Sequence, residues 1–265
     1  MSKGIFIVGT DTDVGKTIVT AGLLYALRSR GYNATYFKAA LSGAIEEGDK
    51  LIPGDTKIVS DVSNLSEVYE NMTPYIYKTE VSPHLAAIIE KKPMDLKVIK
   101  EKYQYLKEKY DYIIAEGSGG IICPLIDDEK GIYTLDNLIK DLNFSVIIVA
   151  RAGVGTINHT VLTVKYIENL GIKIKGIIIN NYEENHIADD NIRIIEKLTR
   201  IPVIAKLKGI NILNEYITEG VKDLDKDEVM ETINGTAYGD RIQAIREAAE
   251  LAFDSEKIIS LMETL

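Results

Sequence analysis

Six short apolar runs decide what this chain can fold into: GIFIVG (4–9), ATYFKA (34–39), YIIAEG (112–117), SVIIVA (145–150), GIIIN (176–180) and PVIAKL (202–207). Each is continuous rather than alternating, and each is bounded by Gly, Pro, Asp or Asn. Runs of this kind suit strands covered on both faces, as in a parallel sheet. Helix-period segments lie between them. Residues 17–31 place Val19, Leu23 and Leu27 on one face and stop at Gly31. Residues 98–110 carry Lys/Glu pairs at i,i+4, which is a solvated face, and residues 157–171 again stop at a glycine. The alternation predicts an α/β fold, a doubly wound, mostly parallel sheet flanked by helices and built from right-handed βαβ units. Residues 40–81 break the rhythm. Within them SGAIEEGDKLIPGDTK (42–57), acidic at 44–54, is rich in Gly and charge and is expected to form a long loop beside the site. Beyond Leu207 the strand signal ends. The expected organisation is one domain over 1–210, with 211–265 packed on it as a helical C-terminal extension whose most amphipathic piece is 240–253.

The first run ends in Gly9-Thr-Asp-Thr-Asp-Val-Gly15-Lys16-Thr17, which fits G-x-x-x-x-G-K-[ST]. A strand precedes the pattern and a helix follows it, and the mechanism needs both. Backbone N–H groups and the positive helix end then cradle phosphates. Lys16 would neutralise β/γ oxygens, and the Thr17 hydroxyl would ligate Mg²⁺. A magnesium site needs more oxygens. Glu116 closes a buried run where strand C-termini gather at the crevice, and metal ligation explains a carboxylate there. A helix N-cap or a salt-bridged acid is the alternative. Asp55, in Pro-Gly-Asp, reads on its own as a turn residue.

The net charge of −9, with no Lys/Arg stripe, opposes binding of nucleic acid. No apolar run reaches the roughly 18 residues needed to cross a bilayer, and MSKGIFIVG runs straight into a strand without the form of a signal peptide. A cytoplasmic protein with no membrane partner is expected. The single cysteine, Cys123, rules out an intrachain disulfide and reads as a small buried hydrophobe.

The motifs together resemble the dethiobiotin synthetase family. The loop fits GTDTxVGKT at Gly9–Thr17. A second motif, of the form Y-K-P-x-x-S-G, stands as Phe37-Lys38-Ala39-Ala40-Leu41-Ser42-Gly43, with Ala39 in place of Pro. Asp55 follows a Gly-rich stretch, and Ser82-Pro83-His84, Ala115-Glu116-Gly117-Ser118-Gly119-Gly120, Gly155-Thr156-Ile157-Asn158-His159 and Asn180 complete an ordered set over about residues 4–208. The resemblance implies ATP-dependent, Mg²⁺-dependent closure of a ureido ring from CO₂ or bicarbonate and 7,8-diaminopelargonate, through a carbamate and a carbamic-phosphoric anhydride. It implies that Lys16 and Lys38 act on the transferring phosphoryl group. The implied nucleotide contacts are Asp13, Val14, Gly15, Lys16, Thr17, Glu116, Gly117, Ser118, Gly119, Asn180 and Asn181. The implied metal ligands are Thr17, Asp55 and Glu116, and the implied substrate contacts are Thr12, Ser42, Gly119 and Asn158. It also implies a homodimer, because the helix opened by Asn158 reaches across the interface in that family.

Taken singly, several of these residues have plainer readings. Lys38 could be a solvated strand-end lysine, His84 and His159 structural, and Asn180 with Asn181 a turn. Residues 205–208, Ala-Lys-Leu-Lys, lack the proline that ends the family's late motif, and 215–265 exceed its usual length. Two other readings use the same loop. An amidating synthase of the cobyrinate a,c-diamide type needs a glutaminase domain for which too little chain follows residue 208. A partitioning-type ATPase switch carries a second lysine where this loop has Thr10 and Asp11.

Overall fold

A computed structural model describes residues 2–210 and 226–265. Residues 211–225, part of the expected helical extension, lie outside the described residues. In chain order the first elements are β1 (Lys3–Gly9), α1 (Lys16–Arg28), β2 (Ala34–Phe37), β3 (Ala40–Leu41), β4 (Ile45–Glu47), β5 (Lys50–Ile52), α2 (Gly54–Ser63), α3 (Tyr69–Met72) and β6 (Tyr75–Ile76). Next come α4 (Pro83–Ile89), α5 (Leu96–Lys109), β7 (Tyr112–Gly120), β8 (Pro124–Asp128), β9 (Gly131–Thr134), α6 (Leu135–Asp141), β10 (Val146–Arg151) and α7 (Thr156–Asn169). The last are β11 (Ile174–Tyr182), α8 (His186–Thr199), β12 (Val203–Lys208), α9 (Lys226–Ala252), α10 (Ser255–Leu261) and β13 (Glu263–Thr264).

The six apolar runs become the parallel strands of one sheet, in the order β12-β11-β10-β1-β7-β2. Ile5, Phe6, Ile7 and Val8 of β1 are at most 1% exposed, so this strand is covered on both faces, as its unbroken apolar pattern requires. The chain leaves β1 towards β2 on one side and reaches β10 on the other. Crevices at such reversals of strand order are where open α/β sheets bind ligands. Val19, Leu23 and Leu27 of α1 are buried as one stripe, and each contributes roughly 1.5–3 kcal/mol of apolar burial as an upper estimate.

Two expectations are corrected. The stretch 42–57 is not a long loop. Residues 45–52 form an antiparallel hairpin, with Ile45 opposite Ile52, and Gly54 opens a helix. The hairpin strands have three residues each and are largely exposed, so no period registers. The buried face of α2 is Thr56, Val59, Ser60, Val62 and Ser63, too polar to read as an apolar stripe. Strand structure also returns after Leu207, because β13 pairs antiparallel with the start of β1, Lys3 opposite Thr264 and Gly4 opposite Glu263. A two-residue strand held by its neighbours carries no sequence period. A further hairpin, β8–β9, is antiparallel and half exposed. No described helix is long and apolar enough to cross a membrane.

Candidate functional site

β1 delivers the chain to Gly9, and the turn from there to Lys16 is the phosphate-binding loop. Asp13 and Gly15 take left-handed conformations, with φ of 57° and 86°. At Gly15 there is no room for a side chain, because a Cβ would lie 1.9 Å from Nδ2 of Asn180. That amide comes from the end of β11 and donates to the Val14 carbonyl at 3.0 Å. Asn180, only 2% exposed, therefore braces the loop whatever else its free oxygen meets. Lys16 folds back and donates from Nζ to the Asp11 carbonyl at 3.0 Å. Burial lowers its pKa; the charge of Glu116 opposes this and that of Lys38 adds to it. Arg151, at the end of β10, donates to the Asp13 carbonyl.

Beside the loop, the ends of β2 and β7 and the start of α2 converge. Lys38 Nζ donates to Asp55 Oδ2 at 2.5 Å and to Glu116 Oε1 at 2.9 Å. The Thr17 hydroxyl donates to the same Glu116 oxygen at 2.9 Å. Tyr36 donates from its hydroxyl to Glu116 Oε2 at 3.3 Å. Lys38 and Glu116 are buried, whereas the Asp55 side chain is 37% exposed and opens to solvent. A buried carboxylate is tolerated only when it is paired and hydrogen-bonded, and here the lysine and two hydroxyls meet that need. Burial works against the charge on Lys38, yet Asp55 and Glu116 outweigh it and raise its pKa. Burial likewise pushes the Asp55 carboxyl up, but Lys38 and the hydrogen bonds it receives bring it below its ordinary value. Tyr36 is held well above its ordinary value by burial and then by the charge of Glu116.

Two carboxylates that share one lysine, with a threonine hydroxyl on Glu116, form a hard, oxygen-rich set suited to magnesium. Among the described residues no group of three or more His, Cys, Asp or Glu side chains could hold a metal ion. A cation here would need oxygens from outside the chain to complete its shell.

The other expected residues are more scattered. β7 bulges after Glu116: Ile7 pairs Glu116, whereas Gly9 pairs Gly120. Gly117, Ser118 and Gly119 form this bulge, and the Ser118 hydroxyl donates to the Ala40 carbonyl at 2.8 Å. Gly119 faces the exposed Thr12, whose Oγ1 is 3.7 Å from where a Cβ would stand. Cys123 is buried nearby, and burial raises its thiol pKa. Asn181 is exposed at φ 51° beyond the strand core. Ser42 is half-buried, and Asn158 is exposed in the first turn of α7. Neither is hydrogen-bonded to the Lys38 cluster. His84 sits at the start of α4 behind Pro83, with its Nδ1 buried and lacking a hydrogen-bond partner. Asp55 is a first-turn helix acid and not a turn residue. Tyr36 and Arg151 are not among the residues that the sequence nominates. Tyr36 lies two residues before Lys38, on the same side of β2 by strand alternation, which was a usable signal. Arg151 had none.

Residues 3–215 match the AAA domain family. The chain is 65% identical over 265 residues to the ATP-dependent dethiobiotin synthetase BioD of Clostridium kluyveri, covering 100% of both sequences. It is 56% identical over 236 residues to the protein of that name from Clostridium novyi, covering 88% of this chain and 99% of that one. Among solved structures it resembles the MinC:MinD cell division protein complex of Aquifex aeolicus, with a TM-score of 0.52, 15% identity and coverage of 100% of this chain and 98% of that one. It also resembles a ParA family ATPase from Chlorobium tepidum, with a TM-score of 0.51, 14% identity and coverage of 98% and 96%. At such identities these structures support the fold alone. Full-length identity at the level of the Clostridium kluyveri relative decides the family, and this chain belongs to the ATP-dependent dethiobiotin synthetases.

Proposed function

We infer that this protein uses ATP to close the ureido ring of dethiobiotin from 7,8-diaminopelargonate and CO₂. The observation that carries the reading is the placement of Lys38 between Asp55 and Glu116, with Thr17 on the same Glu116 oxygen. One amine of the substrate takes up CO₂ as a carbamate. A carbamate oxygen then attacks the γ-phosphorus, and the β–γ bridging bond breaks to give a carbamic-phosphoric anhydride and ADP. The second amine attacks the carbamoyl carbon, releasing phosphate and closing the ring.

Both reactants in the phosphoryl step are anions, so positive charge must stand between them. Lys16 and Lys38 supply it from the chain. The loop amides from Asp13 to Thr17 orient the phosphates, and the Asn180 amide holds Val14 so that those amides stay aimed. Thr17, Asp55 and Glu116 would hold Mg²⁺, which when bound would neutralise phosphate charge. Thr12, Ser42 and Gly119 border the space for the carbamate and amines. Asn158, exposed at the start of a helix whose N–H groups favour a carboxylate, is set to meet substrate from a second copy of the chain in a homodimer. A cytoplasmic setting suits a reaction that draws on ATP.

The test supplies purified protein with ATP, Mg²⁺, bicarbonate and diaminopelargonate and seeks ring-closed product by mass spectrometry. Product that appears only when all four are present supports the reading. ATP turnover that ignores the diamine refutes it.

A further inference from the structure

Helix α9 lies across α1 and α2, the two helices that bring Lys16, Thr17 and Asp55 to the site. Lys16 and Thr17 open α1, and Asp55 stands in the first turn of α2. The approach to α1 is close, since a Cβ on Gly22 would lie 3.0 Å from the Phe253 ring and 3.2 Å from Ala249 Cβ. On α2 the contact is polar. Arg246 donates from Nε to the Val62 carbonyl at 2.8 Å and from one terminal nitrogen to the Asp61 carbonyl and Asn64 Oδ1, both at 2.9 Å. Its guanidinium lies 5.5 Å from the centre of the Tyr25 ring of α1. Tyr238 donates to Asp61 Oδ2 at 2.6 Å, an oxygen that Lys57 also reaches at 2.6 Å.

The last carbonyls of a helix have no partner within it, and a cation there is favourable. α2 has ten residues, and besides Val59 and Val62 its buried face is Thr56, Ser60 and Ser63, so polar contacts share in holding it. Arg28, from α1, binds the same end through the Ser63 and Asn64 carbonyls at 3.0 and 2.9 Å. The far end of α2 is therefore set by arginines, while the near end presents Asp55 to Lys38 at 2.5 Å. A short helix moves as a unit, so releasing its last turn tilts its first. Displacements of about 1 Å cost on the order of a hundredfold in rate at reacting groups.

We propose that Arg246 is a positioning residue, which through α2 fixes the Asp55 carboxylate against Lys38 and Thr17. This rests on the reading of Asp55 as part of the site. The test is a double-mutant cycle in the full chain with Arg246→Ala and Asp55→Asn, reading kcat, KM for ATP, the melting temperature, and Mn²⁺ affinity by electron paramagnetic resonance in the presence of ADP. Arg246→Ala is expected to lower kcat about tenfold and weaken Mn²⁺ by a similar factor, with KM for ATP nearly unchanged, and to change neither kcat nor Mn²⁺ affinity by more than about twofold once Asp55 is Asn. Equal losses in both backgrounds would overturn the proposal and leave Arg246 a general stabiliser. If Asp55→Asn alone changes neither turnover nor Mn²⁺ binding, it is the reading of Asp55 that fails. Arg246→Lys keeps the charge but cannot span all three oxygens. It replaces the alanine variant in the same cycle, with the same deciding outcomes, if the latter does not fold.

Discussion

Replacing Lys38 with methionine keeps most of the side-chain volume and removes only the ammonium. Glu116 then retains the Thr17 and Tyr36 hydroxyls but loses the charge that compensates its burial. Removing one partner of a buried ion pair costs about 3–5 kcal/mol, chiefly because the other charge is left uncompensated. The Asp55 side chain, 37% exposed, can turn to water, which places the loss near the low end, at about 3 kcal/mol. For a chain of this size that corresponds to a melting temperature lower by roughly 6–12 °C. The assay is thermal unfolding in chelator and again with millimolar Mg²⁺. A cation that binds the two carboxylates stabilises the native state by mass action, so Mg²⁺ should recover more of the melting temperature in Lys38→Met than it adds to the wild-type protein. The variant should still bind ATP and lose most ring closure. A melting temperature in chelator within about 1 °C of wild type, where a difference of several degrees is expected, would refute the argument that Lys38 neutralises Glu116.

Gly15→Ala should lose ATP binding in a titration and destabilise by roughly 2–3 kcal/mol, since it adds left-handed strain and breaks the Asn180–Val14 bond. Glu116→Gln should raise the Mg²⁺ concentration giving half-maximal activity by about ten- to a hundredfold, and a variant indifferent to metal would count against that residue as a ligand. Glu67 offers a pH test. Burial favours its neutral form, but hydrogen bonds from Lys109, Asn71, the Val68 amide and Tyr110 hold it down at about 2 against an ordinary 4.5. A depressed carboxylate stabilises above its unfolded value and loses that contribution as pH falls towards its folded value. Wild-type stability should therefore drop between pH 4.5 and 2 by roughly 1 kcal/mol more than that of Glu67→Gln in denaturant titrations, the remainder of the shift being screened by water around the exposed Lys109. Equal slopes would refute the assignment.

How much of this was legible in the sequence depended on whether a residue's role is local. The parallel strands announced themselves because burial on both faces writes an unbroken apolar run. The phosphate-binding loop did so because its mechanism needs one strand, one loop and one helix in succession. Lys38, Asp55 and Glu116 could be nominated, but their contact could not. It joins three elements distant in sequence, and only strand order brings β2 beside β7. The helix carrying Asp55 writes no apolar period because serine and threonine cover much of its inner face. Asn180 could be marked as a nucleotide contact, but its hold on the Val14 carbonyl is a fact of packing that no local pattern encodes.

The pairing of β13 with the start of β1 also bears on how the molecule assembles. Lys3 and Gly4 are separated from their partners Thr264 and Glu263 by about 260 residues of chain. The strand that feeds the nucleotide loop thus takes its last neighbour from across all the chain that lies between them. Glu263 is tethered there by Ser145, Lys173 and Lys175. Closure across so long a loop is entropically slow. A sheet formed before that closure would leave the first residues of β1 with an unpaired flank, open to pairing with another strand.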